Sequence, residues 1–466
     1  MTLLLGTRLL AAGSILTYAG SGIYGYSGDG GPATSAEIKL SRGMAIDPST
    51  GDLYVSDFYA NAIRMIAKST GIITTVAGNE NGISSYSGDG MLATSSRLSG
   101  PRGVAIDPFT GDLYIADTGN SIIRLVMKST GVISTIAGTG TRGYSGDGGL
   151  ATEATLSYPE GIDADPRTGN LYIADSSDNA IRMIAKSTGI ITTIAGTGTR
   201  GYSGNGGSAT LASFNYMLGI AVETATGNIY IANTGNNAVL MIAESTGFII
   251  TIAGTGISGY SGDGGLATSA MLHNPSSVAI DALTGNIYIC DMENNIVRMI
   301  TKSTGIITTV AGTRRGGHSG DGGPATLAML FEPYSVVIDA SSGMMYIADN
   351  SNYVVRSVIL TLDVTSRPSA SPVAGAPTAV TSIPTAAPSS AGDVCAACLF
   401  GCACRVVSCS VHVDAPSHVI SQHCRQLRLC HQEVTLFGLP QLESFQIYFV
   451  VTDYLYSFCA SVDGGF

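Results

Sequence analysis

Tyr144-Ser-Gly-Asp-Gly-Gly149 opens a unit that runs on through Gly161-Ile-Asp-Ala-Asp165, Leu171-Tyr-Ile-Ala-Asp175, Ala180-Ile-Arg-Met-Ile-Ala185 and Ile190-Ile-Thr-Thr-Ile-Ala195. Between these apolar runs stand Pro166-Arg-Thr-Gly-Asn170, Ser176-Ser-Asp-Asn179 and Lys186-Ser-Thr-Gly189. Pro presets one dihedral and Gly supplies a positive φ, so the intervening segments read as tight turns. The runs are rich in β-formers and short, so they read as four strands of an antiparallel meander. They lack clean apolar/polar alternation, which predicts a sheet buried on both faces.

The loop returns at Tyr26, Tyr86, Tyr144, Tyr202, Tyr260 and His318, in steps of 60 and then 58 residues. The second copy has Met91 in place of the last Gly, and the fourth has Asn205 in place of Asp. A fixed period with this self-similarity means one supersecondary unit copied in tandem. A lone four-stranded sheet cannot bury two apolar faces, whereas a closed ring of such sheets can. The expected fold is therefore all-β: a six-bladed β-propeller of four-stranded antiparallel blades over residues 1–365.

First strands are expected from about Gly43, Gly103, Gly161, Gly219, Ser277 and Ser335. Only five fourth strands follow, ending at Gly78, Gly138, Gly196, Gly254 and Gly312. Gly13-Ser-Ile-Leu-Thr-Tyr-Ala-Gly20 matches Gly305-Ile-Ile-Thr-Thr-Val-Ala-Gly312 in register, so residues 14–19 are expected to supply the missing outer strand. The competing candidate is Thr361–Thr365.

The segment 103–124 carries Gly-Val-Ala-Ile-Asp-Pro, then Leu-Tyr-Ile-Ala-Asp-Thr-Gly-Asn, then Ile-Arg. This pattern resembles the NHL repeat. The Ser-Gly-Asp-Gly-Gly-Xaa-Ala-Thr loop resembles that of bacterial secreted NHL propellers and of the teneurin NHL domain. The resemblance spans residues 14 to about 360. It implies a binding platform, adhesive and extracellular in some members and RNA-binding in others, with a few six-bladed relatives that are enzymes.

The chain carries a formal net charge of −11 and has no Trp. Nucleic-acid surfaces carry a basic footprint, so the acidic balance argues against RNA binding. The absence of Trp argues against WD-type blades. Residues 366–393 are rich in Ser, Thr, Pro and Ala and read as an extended linker or stalk. Residues 394–466 hold eight of the nine cysteines and read as a small Cys-rich tail, with Cys395, Cys398, Cys402, Cys404 and Cys409 close enough for disulfides or metal thiolates. The start of the chain is a poor signal peptide, because Arg8 interrupts its apolar stretch. Phe445–Phe458 is too short, and with Asp453 too polar, to span a bilayer. An extracellular or cell-surface setting is expected from the stalk.

Three constellations are candidates for function. The loop carboxylates Asp29, Asp89, Asp147, Asp263 and Asp321 form a set near glycine-rich backbone, which offers oxygen ligands for calcium as a cofactor. The structural alternative is a helix cap or an Asx turn. The second set pairs an Asp ending strand two with an Arg seven residues on: Asp57/Arg64, Asp117/Arg124, Asp175/Arg182, Asp291/Arg298 and Asp349/Arg356. Blade four changes both, to Asn233 and Leu240, so the partners are expected to neutralise each other across the hairpin.

The third set is Arg42, Arg102, Glu160, Leu218, Ser276 and Tyr334, one before each first strand. Their neighbours repeat while these six differ, and first strands line the central channel. They are expected to ring its mouth, where Arg42 and Arg102 can take a carboxylate or phosphate. A peptidylglycine-type lyase needs three zinc-binding histidines, and the propeller has only His273 and His318. A gluconolactonase-like site of Glu, Asn and Asp around one ion stays open through Glu160. The expected function is a non-catalytic recognition or adhesion module taking a protein or glycan on the loop-rich face. The alternatives are a metal-dependent hydrolase and a structural unit of a larger adhesive protein.

Overall fold

A computed structural model describes residues 11–78 and 84–360 in full, and the backbone of 444–451 and 454–461. The linker 366–393 and most of the Cys-rich tail lie outside the described residues. So does the alternative closing segment Thr361–Thr365.

The repeat folds as the turn chemistry dictates. Blade three is representative: Pro159–Ala164, Leu171–Asp175, Ala180–Ile184 and Ile191–Ala195 pair in that order, all antiparallel. Between strands two and three the chain makes a three-residue 3-10 turn and then one left-handed residue, Asn179 at φ 48°. Gly196, at φ 96°, ends the fourth strand where a Cβ would stand 2.3 Å from the Asn179 carbonyl oxygen. Only glycine fits there.

Blades one to five take their four strands from consecutive chain, starting at Ser41, Val104, Pro159, Gly219 and Pro275. Blade four adds a two-residue outer strand, Gly207–Ser208. Blade six supplies only Pro333–Asp339, Met344–Asp349 and Val354–Ile359, and its outer strand is Ile15–Ala19. The register runs Ile15 to Val358, Leu16 to Ser357 and Thr17 to Arg356. The ring is thus closed by hydrogen bonds between the two ends of the domain.

Six apolar clusters fill the interfaces between neighbouring blades. The one between blades six and one joins Ile38, Met44 and Val55 to Ala19, Tyr346, Ala348 and Val355. Both faces of the blade sheets are covered, which is why the strands read as near-continuous apolar runs. The remaining described strands, Ser444–Val451 and Tyr454–Ser461, form an antiparallel hairpin. Among the described residues no helix is long and apolar enough to cross a membrane.

Strand direction places two rims. The glycine loops, the turns after strand two and the starts of the first strands share one face. The turns after strands one and three share the other.

Candidate functional site

The Arg of each hairpin is the buried hub of its blade. Arg64, Arg124, Arg182, Arg298 and Arg356 are at most 1% exposed. Each approaches the Asp seven residues before it at 3.4–3.9 Å. Its closer partner is the loop Asp 35 residues before it: Asp29, Asp89, Asp147, Asp263 and Asp321 lie at 2.5–2.8 Å. A loop tyrosine packs against the guanidinium in four blades, as Tyr26 does over Arg64 at 4.9 Å.

The loop carboxylates are therefore not gathered into one site, and none caps the 3-10 turn that follows its loop. In blade one, Asp29 spends one oxygen on Arg64 and the other on the Thr75 N–H. The strand-two acids are held by backbone: the Ser99 N–H donates to Asp117 and the His273 N–H to Asp291. Burial nonetheless pushes the carboxyls of Asp117, Asp291 and Asp349 up to about 6, against those bonds and the nearby arginines.

Blade four shows what the unit is. Asn205, Asn233 and Leu240 replace all three charged members together, and a cavity of about 190 Å³ lined by Tyr202, Asn205 and Leu240 remains where the other blades hold a guanidinium. The charge unit has three members, of which sequence spacing pairs two.

A second device was missed from sequence. On the opposite rim, a lysine after strand three reaches the carboxylate after strand one of the neighbouring blade. The pairs are Lys68–Asp339, Lys128–Asp47, Lys186–Asp107 and Lys302–Glu223. Blade four inverts the charge with Glu244, and Arg167 of blade three supplies the cation. Burial alone would raise the Asp339 carboxyl, but Lys68, Ser341 and Ser342 hold it down to about 2. The signal was present in the recurring Lys-Ser-Thr-Gly and Asp-Pro turns, but nothing in sequence says that they meet across a blade interface.

The six divergent residues do come together. Arg42, Arg102, Glu160, Leu218, Ser276 and Tyr334 all line one end of a central channel of about 580 Å³. Arg102 is ion-paired with Glu160. The Tyr216 hydroxyl lies 3.4 Å from both. Arg42 lies over the Tyr334 ring at 4.3 Å and the Phe58 ring at 4.9 Å, and Arg102 over the same Phe58 ring at 4.9 Å. Such stacking stabilises a guanidinium without neutralising it.

Glu160 and Tyr334 are 2% and 7% exposed. Burial raises both groups above their usual ranges, although Arg102 and Arg42 oppose this. Ser276 donates to the Tyr334 carbonyl at 2.8 Å. No hydrogen bond of ordinary geometry engages the Tyr334 hydroxyl or the buried Nε atoms of Arg42 and Arg102.

Deeper in the channel, Asp163 stands where the other blades have Ala45, Ala105, Ala221, Ala279 and Val337. It accepts the Val222 N–H of the next blade at 2.8 Å. Desolvation pushes its carboxyl up to about 7, against the Val222 and Ala164 N–H donors. Among the described residues, no cluster of three His, Cys, Asp or Glu side chains has metal-binding geometry.

No family model matches the chain. Among curated proteins it is 28% identical over 283 residues to protein SUPPRESSOR OF QUENCHING 1, chloroplastic, of Arabidopsis thaliana, covering 59% of this chain and 26% of that protein. It is 29% identical over 370 residues to human teneurin-1, covering 70% of this chain and 12% of that protein. It is 24% identical over 338 residues to NHL repeat-containing protein 2 of Bos taurus, covering 67% and 45%. The chain thus spans less than half the length of each of these relatives.

Among solved structures, a Bacteroides thetaiotaomicron protein of unknown function superposes with a TM-score of 0.56 at 18% identity, covering 74% of this chain and 75% of that one. An auxiliary nutrient binding protein from the same organism superposes with a TM-score of 0.53 at 18% identity, covering 74% and 75%. At that identity the likeness concerns the fold.

Proposed function

The chain is a six-bladed propeller of NHL-type repeats, with teneurins and NHL repeat-containing protein 2 among its relatives, and from that premise we propose that it is a non-catalytic recognition module. It takes a protein or glycan partner on the glycine-loop face, in an extracellular or surface setting. One observation carries this reading: six equivalent positions that differ between blades while their neighbours repeat converge on one channel mouth. Five blades keep the buried Asp–Arg–Asp unit, and blade four replaces it whole, as a structural device requires. The mouth obeys no such rule, and specificity is written at positions free of the repeat.

The metal-dependent hydrolase is the weaker reading. Among the six mouth residues Glu160 is the one carboxylate, and it faces two guanidinium groups. That donor set suits an anion rather than a divalent cation. A calcium requirement is not supported either, because the loop carboxylates already serve Arg and backbone N–H groups.

The test is binding of the full chain to arrays of glycans and of extracellular protein domains. The variant R42A/R102A is compared with K128M on the opposite rim. The expected result is a partner lost with the mouth variant and kept with K128M. Loss with K128M alone would move the site to the other face.

A further inference from the structure

We propose that the channel mouth is a binding site for a small monocarboxylate, whose head meets Arg42 and whose body enters the channel. The proposal rests on the reading of the mouth as a recognition site and goes beyond it, adding a small-molecule ligand to the protein or glycan partner of that face.

The charges set the head group. Two guanidinium ions face one carboxylate, so the mouth keeps one uncompensated positive charge. Glu160 is committed to Arg102. Arg42 makes no ion pair with any described residue; its neighbours are the faces of Tyr334 and Phe58. These rings leave its N–H edge free to donate. A planar fork of donors matches a carboxylate, and one spare charge matches a monoanion better than a dianion.

Two further groups lack partners at the same place. The Tyr334 hydroxyl and the Arg42 Nε are buried with no acceptor or donor in ordinary geometry. Tyr334 is 93% buried, since only 7% of it is exposed. Buried polar atoms without partners cost free energy, and both groups lie beside the guanidinium edge that the head group would meet. Below the mouth the channel offers about 580 Å³ between first strands, within the size range of small-molecule sites. Its wall mixes aliphatic side chains such as Val104 and Ile220 with the inner edges of the strands, which accommodates a short aliphatic body.

The probe is hexanoate, titrated into the full chain and followed by calorimetry and ligand-observed NMR, with hexanamide as the uncharged control. Saturable one-to-one binding of hexanoate is expected, at least tenfold tighter than hexanamide. R42M is expected to weaken it at least tenfold, the scale of one charge-assisted bidentate contact. E160Q is expected to tighten it several-fold, because it frees Arg102. The two variants have opposite signs, so damage to the fold cannot account for both. Equal affinity for hexanoate and hexanamide, no saturable hexanoate binding, or unchanged affinity in R42M would overturn the proposal. An array partner that binds while hexanoate does not would retract the carboxylate site and leave the recognition face. Hexanoate binding without any array partner would retract the face and leave the site.

Discussion

Removing the buried arginine of blade five, Arg298→Leu, should be far more harmful than removing its whole charge unit. Arg298 is 0% exposed and contacts Asp263 at 2.5 Å and Asp291 at 3.7 Å. Asp291 is itself fully buried, so Arg298→Leu strands a carboxylate in the blade. Breaking a buried pair in this way costs ~3–5 kcal/mol. The triple variant R298L/D291N/D263N copies what blade four already is, with Leu240, Asn233 and Asn205. It forfeits the bonds from Arg298 to the Ser261 and Met271 carbonyls but leaves no stranded charge, at ~1–2 kcal/mol. For a ring of this size each kcal/mol moves the thermal midpoint by roughly 1–2 °C. The single variant should therefore melt several degrees below the triple, measured by calorimetry.

Acid should narrow that gap. The Asp291 carboxyl is already raised to about 6 in the fold, chiefly by desolvation. A raised acid favours the folded state as pH falls through that value, so the penalty of R298L should be larger at pH 8 than at pH 5. A triple variant no more stable than the single, or a penalty independent of pH, would refute the charge-unit account.

Three further outcomes follow from the same geometry. The Asp339 carboxyl is lowered to about 2, so its pairing with Lys68 stabilises the fold above about pH 4 and is lost as pH falls toward 2. Lys68 is partly exposed and the pair is screened, so K68M should cost ~1 kcal/mol at pH 7 and clearly less at pH 2, read by urea unfolding. Ile15 is 0% exposed in the closing strand, so Ile15→Ala should cost ~2–5 kcal/mol, whereas a free amino-terminal tail would show no change. Chelator followed by calcium should leave the thermal midpoint unmoved, because the two oxygens of each of Asp29, Asp89, Asp263 and Asp321 already accept from Arg and from backbone N–H groups. A calcium-dependent rise would restore the metal reading.

The fold was legible because strand, turn and period agree in every copy. Even the closure could be read, since Gly13–Gly20 aligns residue for residue with an outer strand. The partners of the arginines were harder. Asp57 and Arg64 sit on neighbouring strands of one hairpin, so sequence spacing proposes them, and they do lie within 4 Å. The closer acid, Asp29, lies on a loop that folds back over the outer edge of the sheet, and no periodicity encodes that fold-back. The simultaneous change at Asn205, Asn233 and Leu240 was the available clue. The rim pairs such as Lys128 with Asp47 were invisible for a related reason: each joins turns of different blades, 79 to 271 residues apart. The mouth residues were found by the opposite signal, divergence inside a repeat. Their ring followed from topology, but Phe58 and Tyr216 joined it from turns whose conformation only the structure reveals.

The most direct measurement of the central claim is a hydrogen-exchange footprint of the full chain with and without an array-identified partner. The account predicts protection in the peptides that contain Arg42, Phe58, Arg102, Glu160, Tyr216 and Tyr334. Protection confined to the opposite rim, around Asp47, Asp107 and Lys128, would contradict it.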